Sequence, residues 1–443
     1  MFRRIAITGS LTGLAHFLSL FSLGVAVRFL DNDQIGNLAQ IDANLLLITS
    51  IVSFGLQIAT TRDIALSDNW QDKLRSTQSA RFTLSLLLVA YGFIEIFITR
   101  STSSLVFLIA PFIALNADYA LYGTGRPIIA SILSFVRVLI PGLFLIIISV
   151  FFARYIEIGY LFGATAGLLI SGRFVSKSLN TNYLQKVNRD FIKKYLLNYK
   201  IGLASLSITL LELGQISIAR FFYDDLAITN VYMALKLYIL YRGAQRLIIQ
   251  SFYRDINDST KSVSLDNFGI IIGFLFLIIS AIYSKTTIYY LYGQEYVGSY
   301  LNFTILGITA LLSSILTTGS PKLLLLKKDH AYYSSYIISS SVSLIVTIGL
   351  SYTSYANYGI STGILIGETC LLILFTKHLG GFRYLKPRLT GAFTLGLFLL
   401  VLVYSTIWIN IPELYIATLN IIIFSLFSLA LYSKLFPKLK LLS

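Results

Sequence analysis

The stretch Ile5–Leu30 reads IAITGSLTGLAHFLSLFSLGVAVRFL, with Arg3 and Arg4 immediately before it and no acidic or basic residue inside it other than His16 until Arg28. A helix crosses a hydrocarbon core of ~30 Å with about 20 apolar residues, and this run exceeds that length. It is too long for the apolar region of a secretory leader, and further apolar runs follow at once, so it reads as a first span. Runs of the same kind recur at 37–58, 78–98, 104–122, 130–152, 156–174, 201–222, 226–248, 267–284, 300–318, 332–352, 357–377, 389–409 and 413–434. The sequence therefore predicts an all-α integral membrane protein of about fourteen transmembrane helices.

Composition agrees. The 443 residues are 56% hydrophobic and only 12% charged, with a mean hydropathy of +0.76, whereas soluble domains are about a quarter charged. No long polar stretch remains for a soluble domain. The single cysteine, Cys370, lies in an apolar run, which excludes a disulfide framework and a thiolate metal site. The 29 tyrosines exceed what interfacial belts alone require.

The formal charge of +15 might point to nucleic acid, but its placement points to a membrane surface. With the N-terminus inside, most Lys and Arg fall in inside segments. The 173–200 loop carries Arg173, Lys177, Lys186, Arg189, Lys193, Lys194 and Lys200. Outside segments hold Arg28, Arg100, Arg154, Arg220 and Lys285. This positive-inside bias predicts that both termini are cytoplasmic, and the charge serves as anchoring beside anionic lipid.

An internal repeat organises the chain. Arg28-Phe29 followed by Asp33 recurs as Arg220-Phe221 followed by Asp225, and at the same offset Arg62-Asp63-Ile64 recurs as Arg254-Asp255-Ile256. The expectation is two six-helix bundles, 1–196 and 197–380, related by a pseudo-twofold axis along the membrane normal. Two extra C-terminal helices at 381–443 lack charge along their apolar lengths and read as peripheral.

Ionisable groups in hydrocarbon cost at least ~2.5–3.5 kcal/mol and mark sites or pairs. Lys236, Glu212 and Glu368 fall mid-span; Asp118 and Arg137 lie toward inner ends. Glu212 and Lys236, at similar depth, form either a structural ion pair or a cavity cation with its tuning acid. Ser205, Thr209, Glu212 and Gln215 would share one helical face below Arg220. Glu368 is a candidate for proton or cation coupling, or else pairs with a cation on another helix. Arg242 and Arg246 read as snorkelling to the inner surface. Arg28 and Arg220 either snorkel to the outer boundary or face a vestibule. Arg62 and Arg254, each followed by Asp, fix a turn or gate the cytoplasmic side. Arginines converging on one cavity suit a polyanionic headgroup, because guanidinium pairs bidentately with phosphate. The candidate set is therefore Arg28, Arg137, Arg220 and Lys236 for binding, Glu212, Glu368 and Asp118 for coupling or charge tuning, and Arg62 and Arg254 as a gate.

Several stretches resemble the polysaccharide-exporting, Wzx-type O-antigen flippase branch of the multidrug/oligosaccharidyl-lipid/polysaccharide exporter superfamily. They are Arg28-Phe29-Leu30 with Gly36, and Ser53-Phe54-Gly55-Leu56 leading to Thr60-Thr61-Arg62-Asp63-Ile64-Ala65. Tyr289-Tyr290-Leu291-Tyr292-Gly293-Gln294-Glu295-Tyr296 and Tyr358-Gly359-Ile360 add two more. Asp31 stands where that family has a glycine, and the fourth-helix pattern is reduced to Tyr119-Ala120-Leu121-Tyr122-Gly123. The resemblance implies a flippase for an undecaprenyl-pyrophosphate-linked oligosaccharide in a bacterial inner membrane, working beside the polymerase and glycosyltransferases of its pathway. It also implies ion or potential coupling, no ATP use and no cofactor. The chain has no phosphate-binding Gly-x(4)-Gly-Lys run, and Gly123-Thr124-Gly125 meets Ile128 where a dinucleotide loop needs a third glycine.

Two other functions compete. A polyprenyl-dependent glycosyltransferase or polymerase would use Asp31 and Asp33 as an acidic pair, but such enzymes need a large outer loop, and the longest here is 285–299. A small-cation exporter of the same superfamily needs an acidic cavity, whereas Arg28, Arg137, Arg220 and Lys236 tilt this one positive.

Overall fold

A computed structural model describes residues 2–66, 69–100, 102–187, 190–252, 255–406 and 413–435. Every regular element among them is helical. Among the described residues, ten helices are long and apolar enough to cross a membrane, or eleven when one sharply bent pair is taken as a single span. The chain is a multi-pass membrane protein, because in hydrocarbon a helix satisfies its own backbone groups.

The chain divides into two compact units, Met1–Tyr232 and Met233–Ser443. The division falls later than the 196/197 boundary that the repeat suggests, and it lies within a helix.

The first unit holds α1 (Phe2–Ala26), α2 (Asn32–Ser53), α3 (Leu56–Leu66), α4 (Trp70–Thr99), α5 (Ala110–Leu115), α6 (Asp118–Gly123), α7 (Pro127–Phe151), α8 (Ile156–Leu179), α9 (Phe191–Leu197), α10 (Tyr199–Leu210) and α11 (Ile216–Ala219). Then α12 (Asp225–Ser251) carries the chain across the division. Three predicted spans turn out to be broken. The run 37–58 ends at Phe54, which adopts a left-handed conformation (φ 35°), and Gly55 follows at φ 72°. A Cβ on Gly55 would lie 2.8 Å from the backbone of Ile201 and Gly202, so the joint is pressed against α10. The run 104–122 begins as a 3-10 helix and breaks again at Asn116–Ala117. The run 201–222 bends by 80° between α10 and Leu213–Ala219. Hydropathy averages over such breaks, and neighbouring polar groups satisfy the freed backbone.

Arg81 does this at the second break. It lies near the start of the predicted 78–98 run, but α4 begins at Trp70 and buries it to 1% exposure. Its guanidinium donates to the carbonyls of Ile113 (3.0 Å) and Asn116 (2.9 Å) at the C-terminal end of α5.

α7 and α8 pack closely through Gly159, Gly163 and Gly167, spaced one turn apart on α8. Cβ atoms there would meet Ile148 Cγ1 at 2.6 Å, Phe144 Cβ at 2.8 Å and the Arg137 backbone at 3.4 Å. Small residues let helix backbones approach where lipid supplies no hydrophobic drive. This contact fixes the α7 face that carries Arg137. Gly163→Leu is expected to cost on the order of 1–3 kcal/mol by overpacking, read as a lower unfolding midpoint in detergent. An unchanged midpoint would refute the close contact.

The second unit continues with α13 (Ser259–Leu277), α14 (Ser284–Tyr292), α15 (Tyr300–Ser314), α16 (Gly319–Leu325), α17 (Asp329–Ser351), α18 (Gly359–Leu379), α19 (Phe382–Thr406) and α20 (Glu413–Leu435). In α19, Leu395, Leu399 and Leu402 are buried, while Phe393, Leu400, Val401 and Tyr404 are exposed. One apolar face thus meets the unit and the other is left to lipid. α20 inserts Asn420 and Phe424, and Asn420 Nδ2 donates to the Tyr283 hydroxyl at 2.6 Å.

Arg388 stands just before the predicted 389–409 run. It lies inside α19 at 1% exposure, and its Nε donates to Asp266 Oδ2 at 2.6 Å. Asp266, fully buried on α13, also accepts from the Thr318 backbone N–H (2.7 Å) and hydroxyl (2.9 Å). Each charge is neutralised by a partner distant in sequence, so local hydropathy reads both as loop.

Candidate functional site

The candidate residues fall into polar clusters within each unit. In the first unit, α2 starts with a capping box. Asp31 accepts from the Gln34 N–H at 2.8 Å, while Gln34 Oε1 accepts from the Asp31 N–H at 3.2 Å. This gives Asp31 a structural task as the cap of α2.

One turn into α2, Gly36 leaves room for Arg220, which follows α11. A Cβ at 36 would lie 2.6 Å from Arg220 Nη1 and 3.0 Å from Asp225 Oδ1. Arg220 forms an ion pair with Asp225, and its Nη2 donates to Asn37 Oδ1 at 3.1 Å. The Arg220 side chain keeps 23% of its exposure, while its Nη1 is buried against Asp225. The repeat motif Arg220-Phe221 with Asp225 is thus an ion-paired corner. Its counterpart Arg28 follows α1 and is exposed.

Arg137 on α7 pairs with Asp118, the first residue of α6, and donates to Ser134 Oγ at 2.8 Å. Both partners stay partly exposed, at 24% and 17%. The sequence flags both as in-span charges, and the break at Asn116–Ala117 brings them together.

Glu212 is 3% exposed and sits at the 80° bend. The polar face expected on one continuous helix is therefore split. Thr209 precedes the bend and shares a hydrogen bond with Ser50 of α2, while Gln215 follows it and is fully buried. Lys236 lies half-buried in α12. The Arg62 side chain and the whole of Arg254 lie outside the described residues.

In the second unit, Glu368 on α18 is 3% exposed and pairs with Arg242 Nη2 at 3.3 Å. Arg242 was expected to snorkel, but its side chain is 13% exposed. Its Nη1 donates to Gln245 Oε1 at 3.1 Å. Gln245 in turn faces Ser313 Oγ at 3.4 Å. Tyr241 donates to the Ala310 carbonyl at 2.7 Å. Glu368 is thus ion-paired with a cation on another helix.

The tyrosine excess acquires an explanation here. Tyr160 and Tyr232 both donate to the Asp42 carboxylate, at 2.9 and 3.0 Å. Tyr195 donates to the Val52 carbonyl at 2.6 Å, beside the α2–α3 joint. An apolar ring with one hydroxyl satisfies a buried acceptor at low desolvation cost. The carbonyls freed at helix breaks supply some of these acceptors, and no composition count reveals them.

No protein-family model matches this sequence, and no curated protein does. Solved structures do. A structure of lipid II flippase MurJ in an inward closed conformation is similar with a TM-score of 0.74 at 13% identity, over 97% of this chain and 99% of that one. An inward-facing multidrug resistance MATE family transporter of the MOP superfamily gives 0.62 at 14% identity, over 87% and 99%. A MATE structure in complex with MaL6 gives 0.60 at 14% identity, over 88% and 96%. The helices, with their breaks and two units, therefore form an all-helical membrane fold of the MurJ and MATE kind.

Proposed function

We propose that this chain is a flippase, not an enzyme, that moves an undecaprenyl-pyrophosphate-linked oligosaccharide across a bacterial inner membrane. The cargo is an O-antigen unit or a similar surface glycan, and the driving force is ion- or potential-linked. On this reading both termini are cytoplasmic. The eleven apolar spans, together with α1, α12 and α20, make fourteen crossings. The likeness in fold to a lipid II flippase supports transport of a lipid-linked cargo. The observation that carries the reading is Arg220, held at Asn37 and Asp225 yet still 23% exposed. A guanidinium fixed in that way offers its remaining N–H groups to a phosphate. Arg137 and Lys236 add reachable positive charge within the helices, with Arg28 at the end of α1. Arg62 and Arg254 serve as the cytoplasmic gate, and Glu212, Asp118 and Glu368 tune or couple the charge.

A small-cation exporter is the second reading, favoured by the likeness to MATE transporters. The in-span arginines weigh against it, because a cationic cargo would meet like charge. Arg220→Gln and Lys236→Gln are expected to lower surface glycan at least tenfold, in line with loss of one charge-assisted hydrogen bond each. Membrane levels of the protein should stay unchanged. Normal glycan in both variants would remove the cationic-cavity reading.

A further inference from the structure

α2 carries a second feature. Asp33, Asn37, Gln40 and Asn44 recur at four, three and four residues, which places them in one stripe along the helix. The other side of α2 is apolar and closed, with Ile35, Leu38, Ala39 and Ala43 at 0% exposure. The stripe is not closed. Asp33 is exposed, and Asn37, Gln40 and Asn44 are partly exposed. It stops at Asn44, and further along the same face stand Leu47 and Ile51.

Part-exposed amides within a span face either lipid or water. An amide without a hydrogen-bond partner costs ~4–8 kcal/mol in a hydrocarbon reference, and polar groups in spans turn to protein or to water-filled cavities. Gln40 Nε2 donates to Asn44 Oδ1 at 3.1 Å, but its Oε1 is buried without any hydrogen-bond partner. Three part-exposed amides in register, one of them with a buried oxygen that no hydrogen bond satisfies, therefore call for water or a polar ligand along this face.

The stripe is continuous with the arginine corner, because Asn37 accepts from Arg220. Phosphate calls for cations, and Arg220 supplies one. Amides suit a different group. Each presents a donor and an acceptor together, which matches a hydroxyl that both gives and takes a proton. From Asp33 to Asn44 the stripe runs ~16 Å, long enough for a chain of hydroxyl-bearing rings.

The geometry points to a division of labour along α2, in which Arg220, steadied by Asn37, holds the pyrophosphate and Gln40 and Asn44 hold the sugar hydroxyls of the cargo. This assignment rests on the flippase reading and deepens it. Binding to the full-length protein in nanodiscs tests it with two probes, undecaprenyl pyrophosphate and undecaprenyl-pyrophosphoryl-N-acetylglucosamine. Gln40→Leu/Asn44→Leu leaves the Arg220 contacts intact. It should weaken the sugar-bearing probe about tenfold, as two lost hydrogen bonds imply, and leave the sugar-free probe unchanged. Equal loss for both probes, or loss for neither, overturns the assignment. Wild-type protein that binds neither probe overturns the flippase reading, and the sugar assignment falls with it.

A second measurement does not depend on cargo. In a Cys370→Ser background, Gln40→Cys and Asn44→Cys should react with a membrane-impermeant maleimide, while Leu38→Cys, on the closed side, should not. Failure of both 40 and 44 to react means that the face is dry, and overturns the proposal even if binding is intact.

Discussion

Gly36→Val is expected to reach the membrane at wild-type levels and to lose surface-glycan export by roughly a hundredfold. Two magnitudes decide this. Any Cβ at 36 collides with Arg220 Nη1 at 2.6 Å and crowds Asp225 Oδ1 at 3.0 Å. The colliding atoms are the ends of flexible side chains, so the helix stays in place and the guanidinium moves. The stability at stake is small, since an ion pair whose partners keep 23% and 41% exposure is worth ~0–1 kcal/mol. The functional cost is larger, because displacing a positioning group by about 1 Å can cost about 10²-fold. Asp225→Asn provides the contrast. It removes the ion pair but leaves Arg220 free to reach Asn37, so export should fall less than in Gly36→Val. The measurement is surface glycan by lectin blot, beside membrane abundance by immunoblot. Wild-type export in Gly36→Val would show that the placement of Arg220 against α2 does not matter.

Much of this corner was legible in the sequence, and the reasons separate what could be read from what could not. The spans were legible because each is a local run, and helix geometry turns run length into thickness. Arg220 and Gly36 stood out because the repeat and the family resemblance single them out without any knowledge of packing. Arg137 and Asp118 were each visible as charges in apolar runs, but their pairing depends on a helix break that hydropathy averages away. The partners of Arg81 and Arg388 were not legible for one physical reason. A window treats a charge as the end of a span, whereas Arg81 is satisfied by carbonyls of α5 and Arg388 by a carboxylate on α13. Arg242 reads as snorkelling for a related reason, because its partner Glu368 is far along the chain. The amide stripe on α2 escaped notice because Asn and Gln carry no charge, although its spacing alone was enough to find it.

Asp266→Ala is expected to produce the largest loss of stability. It leaves Arg388, 1% exposed, with its charge uncompensated inside the second unit, and it strips the Thr318 N–H and hydroxyl of their acceptor. Removing one partner of a buried pair costs ~3–5 kcal/mol, and for a unit of this size that lowers an unfolding midpoint by roughly ten degrees. The guanidinium cannot simply turn outward. It stacks 3.7 Å from the Tyr384 ring centroid and donates to the Tyr384 carbonyl at 2.5 Å, so its own helix holds it inward. The double variant Asp266→Leu/Arg388→Met should recover most of the loss, because removing both charges also removes their desolvation cost. That non-additivity separates a buried charge from a cavity. If Asp266→Ala fell only as far as a packing defect and the double variant fell further, the pair would be an ordinary contact. If the double variant recovers stability but export still fails, then the charges that dock α19 onto α13 also serve transport. Thermal unfolding in detergent and surface glycan, measured on the same three proteins, decide between these outcomes.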